Sequence, residues 1–118
     1  METQNMRRHF NHTDLIDKIG DDKEFIEILY STFIEGYVQY FGKIEEAIDT
    51  QDQVLLKNNA HALKGSSYSA CFEVLGDLIY EIEKADVKQK EYLKMLVDKV
   101  KNEYQLVDIA VKNFLKST

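Results

Sequence analysis

The segment NNAHALKGSSYSA, residues 58–70, places a histidine, a lysine and a glycine within five positions, at His61, Lys64 and Gly65. A neutral imidazole is a nucleophile, and an ordinary pKa of about 6.5 leaves much of it unprotonated near neutral pH. It can accept a phosphoryl group on one ring nitrogen if a bulky donor can reach that nitrogen. A lysine one helical turn away places positive charge near the phosphoryl oxygens, the help that phosphoryl transfer chiefly needs.

The helical period separates this histidine from the apolar side of its helix. At about 100° per residue, the apolar positions fall in one arc of about 80°, and His61 lies about 160° from Leu63. The positions in that arc, which we expect to be buried, are Leu56, Ala60, Leu63, Ser67 and Ala70. The positions that share the side of His61 are Lys57, Lys64, Gly65 and Tyr68. His61 is therefore predicted to be exposed, with Lys64 the better placed cation and Lys57 the second.

Gly65 and Tyr68 suggest that another protein approaches this side. Glycine inside a helix costs about 0.5–1 kcal/mol relative to alanine, so Gly65 requires a reason, and clearance for a docking surface is one. Tyr68 suits partner contact or shielding of a phosphohistidine from water. The alternative for an isolated surface histidine is a solvated residue with no role. The neighbouring Ser66 and Ser67 lean toward the buried side, which favours helix packing with a back-bonded hydroxyl over a nucleophile.

The rest of the chain supplies the helices that hold this segment. TDLIDKI, residues 13–19, predicts a short first helix with Thr13 as N-cap and a stop at Gly20. Apolar residues spaced three and four apart predict long amphipathic segments over 21–50, 53–70, 71–85 and 88–115. Gly36 and Gly42 leave open whether residues 21–50 form one bent helix or two.

These segments predict an all-α fold, an antiparallel up-and-down four-helix bundle with a short extra N-terminal helix. The chain has 118 residues, no proline and five glycines, which fits one domain with few helix breaks. We expect a single domain over residues 1–118, in which 13–118 form the bundle and 1–12 are a flexible N-terminus.

Composition narrows the function classes. A formal charge of -6 disfavours nucleic-acid binding, because phosphate contacts depend on clustered lysine and arginine. No run of about 18 apolar residues is present, so no membrane span is expected. One cysteine, Cys71, cannot form an internal disulfide, and no signal peptide is recognisable, so we expect a cytoplasmic protein.

Two further groups of residues favour structural interpretations. His9 and His12 have a spacing that could suit a metal, but no carboxylate or cysteine cluster completes a ligand set, so no metal site is expected. A frayed N-terminus is the favoured interpretation. Cys71 is expected to be a small buried residue rather than a reactive thiol.

The run His61-Ala62-Leu63-Lys64-Gly65-Ser66-Ser67 resembles the His-x-Leu-Lys-Gly-Ser-Ser signature of histidine-containing phosphotransfer (HPt) domains, modules of multistep two-component phosphorelays. The flanking segments resemble the family's first helix with its glycine stop, its long apolar helix and its returning helix. The resemblance covers residues 15–114. One departure is the bend, where the family commonly has a glycine and a small or apolar residue and this chain has Cys71 and Phe72.

The resemblance implies that His61 takes a phosphoryl group from a receiver-domain aspartate and passes it to another receiver aspartate. It also implies that Lys64 assists electrostatically, that Gly65 leaves room for the partner, and that Glu83 can orient the imidazole ring. A solvated helix glutamate is the equal alternative for Glu83. The implied partners are response-regulator receiver domains and a hybrid sensor histidine kinase, with this chain a monomer.

We expect no cofactor of its own, with magnesium on the receiver partner, and no autonomous ATP-dependent kinase activity, because no nucleotide-binding loop is recognisable. Two other functions stay open at this point. One is a helical adaptor that binds or sequesters a receiver domain without phosphotransfer. The other, a metal-dependent helical hydrolase, has little support in the sequence.

Overall fold

A computed structural model describes residues 6–117, which form five α-helices and no strand. The all-helical class predicted from the sequence is confirmed. The helices are α1 (His12–Ile19), α2 (Lys23–Thr50), α3 (Gln53–Ser69), α4 (Glu73–Lys84) and α5 (Lys90–Lys116). Each of α2, α3 and α4 packs against the next helix along the chain, and α2 also packs against α5. Within residues 6–117, no helix combines the length and the apolar character needed to cross a membrane.

The N-cap of the short helix α1 lies two residues earlier than the sequence pattern predicts. Its N-cap is Asn11 and not Thr13, because the Asn11 side chain accepts a hydrogen bond from the backbone N–H of Asp14 at 3.2 Å. The predicted stop at Gly20 is confirmed. Gly20 has a φ of 88°, a conformation that glycine adopts without a Cβ penalty.

The long helix α2 is continuous through both of its glycines. Neither Gly36 nor Gly42 breaks it, so the choice left open by the sequence is resolved as one helix of 28 residues. Its N-cap Asp22 accepts a hydrogen bond from the N–H of Phe25 at 3.3 Å. The predicted apolar stripe of α2 is confirmed only in part, because Phe25 and Ile28, which its spacing includes, are exposed. The buried residues of α2 are Ile26, Tyr30, Phe33, Tyr37, Phe41, Ile44, Ala47 and Ile48.

The bend between α3 and α4 places a non-glycine residue in the left-handed region. Cys71 has a φ of 64°, a conformation that costs an L-residue about 1–2 kcal/mol. Its side chain is 2% exposed, and burial raises the pKa of its thiol, so the predicted small buried residue is confirmed. The next residue, Phe72, is 2% exposed and packs edge-on against Phe33 with ring centroids 4.8 Å apart.

The segment before α1 makes contacts that the sequence did not predict. Phe10 is buried and packs edge-on against Phe72. The backbone carbonyl of Arg8 accepts hydrogen bonds from the first two N–H groups of α4, those of Glu73 and Val74. These N–H groups need an acceptor because Phe72, the N-cap of α4, has no capping side chain. Flexibility of residues 1–12 stays a prediction, and residues 1–5 lie outside the described part of the chain.

Candidate functional site

The helix α3 presents one side to the core and the other to solvent, as its helical period predicts. Asp52 caps it by accepting a hydrogen bond from the N–H of Leu55 at 3.0 Å. The five residues predicted to face the core are all buried: Leu56, Ala60, Leu63, Ser67 and Ala70. Ser67 donates its hydroxyl hydrogen to the carbonyl of Leu63 at 2.8 Å, the back-bonded arrangement favoured from the sequence.

On the opposite side, the side chain of His61 is 70% exposed. Its Nδ1 lies 2.9 Å from Oε2 of Glu83, a residue of the neighbouring helix α4. In a neutral imidazole with Nδ1–H donating to this carboxylate, Nε2 carries the free lone pair. The contact therefore selects the nitrogen that can act as a nucleophile.

The same carboxylate also holds Lys64. The Lys64 ammonium lies 2.7 Å from Oε1 of Glu83, so the two carboxylate oxygens serve the two predicted site residues separately. Only 11% of the Glu83 side chain is exposed. Burial alone would raise the pKa of Glu83, but the contacts from Lys64 and His61 outweigh burial and hold that pKa below its ordinary value of 4.5. Glu83 is thus an anion at neutral pH.

Gly65 follows this pair on the exposed side of α3. Apart from its own turn of helix backbone and its chain neighbours, a Cβ at Gly65 would meet no atom of the described residues within 4 Å. The glycine is therefore not required by packing within the described part of the chain. Lys57, one turn before His61, is also exposed.

Tyr68 is placed differently from the other predicted site residues. Its ring packs over Gly76 of α4, where any Cβ would collide with it. Its hydroxyl donates to Oδ1 of Asp77 at 2.6 Å, and Arg7 holds Oδ2 of the same carboxylate at 2.9 Å. Burial, followed by the hydrogen bond to Asp77, raises the pKa of Tyr68 to about 12, so the hydroxyl stays protonated and bound to Asp77. Shielding of a phosphohistidine by Tyr68 stays a prediction.

Sequence reasoning did not single out Tyr80, although the structure brings it to this site. The Lys64 ammonium lies 4.8 Å from the centroid of the Tyr80 ring. A signal was present, since Tyr80 precedes Glu83 by three residues on α4 and residues at that spacing share a helix face. What the sequence could not supply is the register between α3 and α4 that brings Lys64 to that face.

The two N-terminal histidines make other contacts. His9 Nδ1 bonds to Oε2 of Glu103, a buried residue of α5, and the His12 ring stacks on Phe114 with centroids 5.1 Å apart. Within residues 6–117, no three side chains of His, Cys, Asp or Glu lie close enough together to hold a metal ion.

The fold and this site define a class: a helical bundle that presents an exposed histidine backed by a carboxylate on the neighbouring helix. Comparison with protein families matches residues 28–109 to the Hpt domain. Because the match covers more than two thirds of the 118 residues, the chain belongs to the Hpt domain family. Neither the comparison with curated proteins nor that with solved structures gave a match.

Family membership confirms the resemblance described above and involves the chain in two-component phosphorelays. Hpt domains are phosphotransfer modules and generally not kinases, and their partners are response-regulator receiver domains. The matched region includes α3 and α4 and therefore all the residues around His61.

Proposed function

We propose that His61 is a phosphoryl acceptor that takes a phosphoryl group from the aspartyl phosphate of one receiver domain and passes it to the aspartate of another. The observation that carries this proposal is the contact of Nδ1 with Glu83 in a histidine whose side chain is 70% exposed. It supports Nε2 as the attacking atom, because that nitrogen keeps its lone pair while Nδ1 keeps its proton.

The transfer balances without a co-reactant. Nε2 of His61 forms a bond to phosphorus as the bond between phosphorus and the receiver carboxylate oxygen breaks, and the electron pair leaves with that carboxylate. The imidazole then carries a positive charge, which the Glu83 carboxylate stabilises through Nδ1–H. The reverse step, with a second receiver carboxylate as nucleophile, regenerates the neutral histidine.

The neighbours of His61 have distinct proposed roles. Lys64 places positive charge beside the phosphoryl oxygens, and Lys57 contributes more weakly from one turn away. Gly65 leaves clearance for the receiver. Val54, two turns before His61, is 68% exposed and offers the receiver an apolar contact on the same side of α3. This chain is proposed to need no cofactor of its own, with the receiver bringing the aspartate and magnesium.

The wider proposal concerns the whole chain. We propose a single domain over residues 1–118, an antiparallel four-helix bundle of α2 to α5 with α1 as the extra helix. The short connections between successive long helices favour this topology. The chain would act as a cytoplasmic monomer, with a hybrid sensor histidine kinase supplying the first receiver domain.

A transfer assay tests the proposal. Receiver domains are phosphorylated with radiolabelled acetyl phosphate and incubated with this protein, and the label on the protein is tested for acid lability. We expect acid-labile label on the wild type and none on His61→Gln. His9→Gln is the matched control, since it alters the other histidine that contacts a glutamate, and it should be labelled like the wild type.

Two results would contradict the proposal. Label that persists on His61→Gln would assign the acceptor to another residue. Receiver binding that is equal for wild type and His61→Gln, with no label on either, would instead support the adaptor function.

A further inference from the structure

The ammonium of Lys64 has two neighbours on α4, and only one of them is an anion. Nζ lies 2.7 Å from Oε1 of Glu83 and 4.8 Å from the centroid of the Tyr80 ring. The Lys64 side chain is only 19% exposed, whereas His61 is 70% exposed. A lysine at the exposed side of a helix would ordinarily extend into solvent, so its partial burial here follows from these two contacts.

The Tyr80 ring carries a second ammonium, that of Lys84, at 4.5 Å from its centroid. Lys84 has its own carboxylate partner, because its Nζ lies 3.0 Å from Oε2 of Glu81. Each lysine is therefore paired with a different glutamate while both contact one ring. Since Lys84 is paired with Glu81, Glu83 remains for Lys64 and His61.

We infer that Tyr80 is a positioning residue, which holds the Lys64 ammonium beside Glu83 and His61 through a cation–π contact. The expected effect of Tyr80 on phosphotransfer rests on the proposed function of His61. A lysine side chain has four rotatable bonds, so holding it in one conformation carries a large entropic cost. The ring face attracts the ammonium, which restricts Lys64 to rotamers that keep its charge beside Glu83 and His61.

The first test uses phosphoramidate as the donor, so that no receiver domain is present and a lost docking contact cannot explain the result. We expect Tyr80→Leu to slow labelling of His61 about two- to fivefold, the range that exposed cation–π contacts provide. Tyr80→Phe keeps the ring and should be labelled like the wild type. Tyr92→Leu is the control, because Tyr92 is similarly exposed and contacts Glu81 instead.

A double-mutant cycle identifies the route of the effect. If Tyr80 acts through Lys64, Tyr80→Leu should change nothing when Lys64 is already alanine. An equal slowing in the wild-type and Lys64→Ala backgrounds would overturn the inference, as would wild-type labelling of Tyr80→Leu.

A second measurement does not depend on phosphotransfer. The Glu83 carboxyl is titrated by carbon NMR in the wild type, Tyr80→Leu and Tyr80→Phe. We expect its pKa to rise toward the ordinary value in Tyr80→Leu alone, because a more mobile Lys64 stabilises the carboxylate less. An unchanged titration in Tyr80→Leu would reject the positioning role even if labelling of His61 is slowed. A raised pKa in a protein that no donor labels would keep the positioning role and reject the proposed function.

Discussion

Within residues 6–117, two histidines contact a glutamate in the same way, and only one of them lies in the proposed site. His61 on α3 and His9 before α1 each place Nδ1 against Oε2 of a glutamate on another helix. Both histidines are well exposed, with 70% and 48% of their side chains accessible, and both glutamates are largely buried. The histidine–carboxylate pair by itself therefore does not distinguish a phosphoryl acceptor.

The surroundings make the difference. Glu83 also holds the Lys64 ammonium, so a cation lies beside His61, and Gly65 leaves open space next to it on a continuous helix. His9 lies in a segment without regular structure, in which the carbonyl of Arg8 caps α4 and the ring of Phe10 is buried. The pair of His61 and Glu83 leaves the histidine accessible to another protein, whereas the pair of His9 and Glu103 fastens the N-terminal segment to α5.

The largest expected effect comes from replacing each of the two histidines: one substitution should remove activity and the other should reduce stability. His61→Gln should abolish acid-labile labelling. It should leave the free energy of unfolding nearly unchanged, because the ring is exposed and Glu83 still forms its ion pair with Lys64. His9→Ala should be labelled normally but lose about 1–3 kcal/mol of stability, because Glu103 is left buried without its partner. Urea denaturation and the receiver assay measure the two quantities. Normal stability of His9→Ala would contradict the fastening role.

The next effect compares the two lysines near His61. Lys64→Ala should slow transfer about 10- to 100-fold, because a positioned cation beside the phosphoryl oxygens is lost. Lys57→Ala should slow it less than about twofold, since Lys57 is an exposed lysine whose charge is screened by water. Single-turnover transfer from a phosphorylated receiver measures both rates. Equal rates for the two variants would remove the special role of Lys64.

A smaller effect is expected at Gly65, with Gly42 as its matched control. Both glycines lie inside helices with open space where a Cβ would go. Glutamine at either position should stabilise the fold by about 0.5–1 kcal/mol. Only Gly65→Gln should slow transfer from a receiver, by about tenfold, while labelling by phosphoramidate stays normal. Slowing with both donors would mean that the substitution disturbs His61 itself and not docking.

The sequence predicted the exposed side of α3 well because it depends on one helix and its period. His61, Gly65 and the five buried positions needed only the rotation of about 100° per residue. Contacts between helices were predicted less well. The Lys64 contact with Tyr80 depends on the register of α3 against α4, and the packing of Tyr68 on Gly76 depends on the same register.

The N-terminal segment was the least predictable part. Phe10 has no periodic apolar neighbours, and its burial depends on Phe72 and Phe114, which are distant in sequence. One tie of this segment to α4 is the backbone carbonyl of Arg8, which leaves no trace in residue type. Another is the ion pair of Arg7 with Asp77, and the sequence does not show that these two residues meet. Glu103 did carry a signal, because it lies three residues after Val100 and four before Val107, on the buried stripe of α5. A charged residue at such a position requires a partner, and that partner is His9.

The smallest expected effect is on stability, and it concerns the negative charge of Glu83. Glutamine at this position would keep a hydrogen-bond acceptor but not the charge. Glu83→Gln keeps an oxygen for Nδ1–H, but the ion pair with Lys64 is lost, and with it a contribution of charge to stability. Because folding lowers the pKa of Glu83, its charge stabilises the fold above about pH 4.5, and this contribution disappears as the pH falls through the lowered value. The variant should therefore be less stable than the wild type at pH 7, by up to about 1 kcal/mol, and equally stable near pH 2. Urea denaturation at the two pH values measures this difference, and a difference that persists in acid would assign it to packing and not to the charge of Glu83.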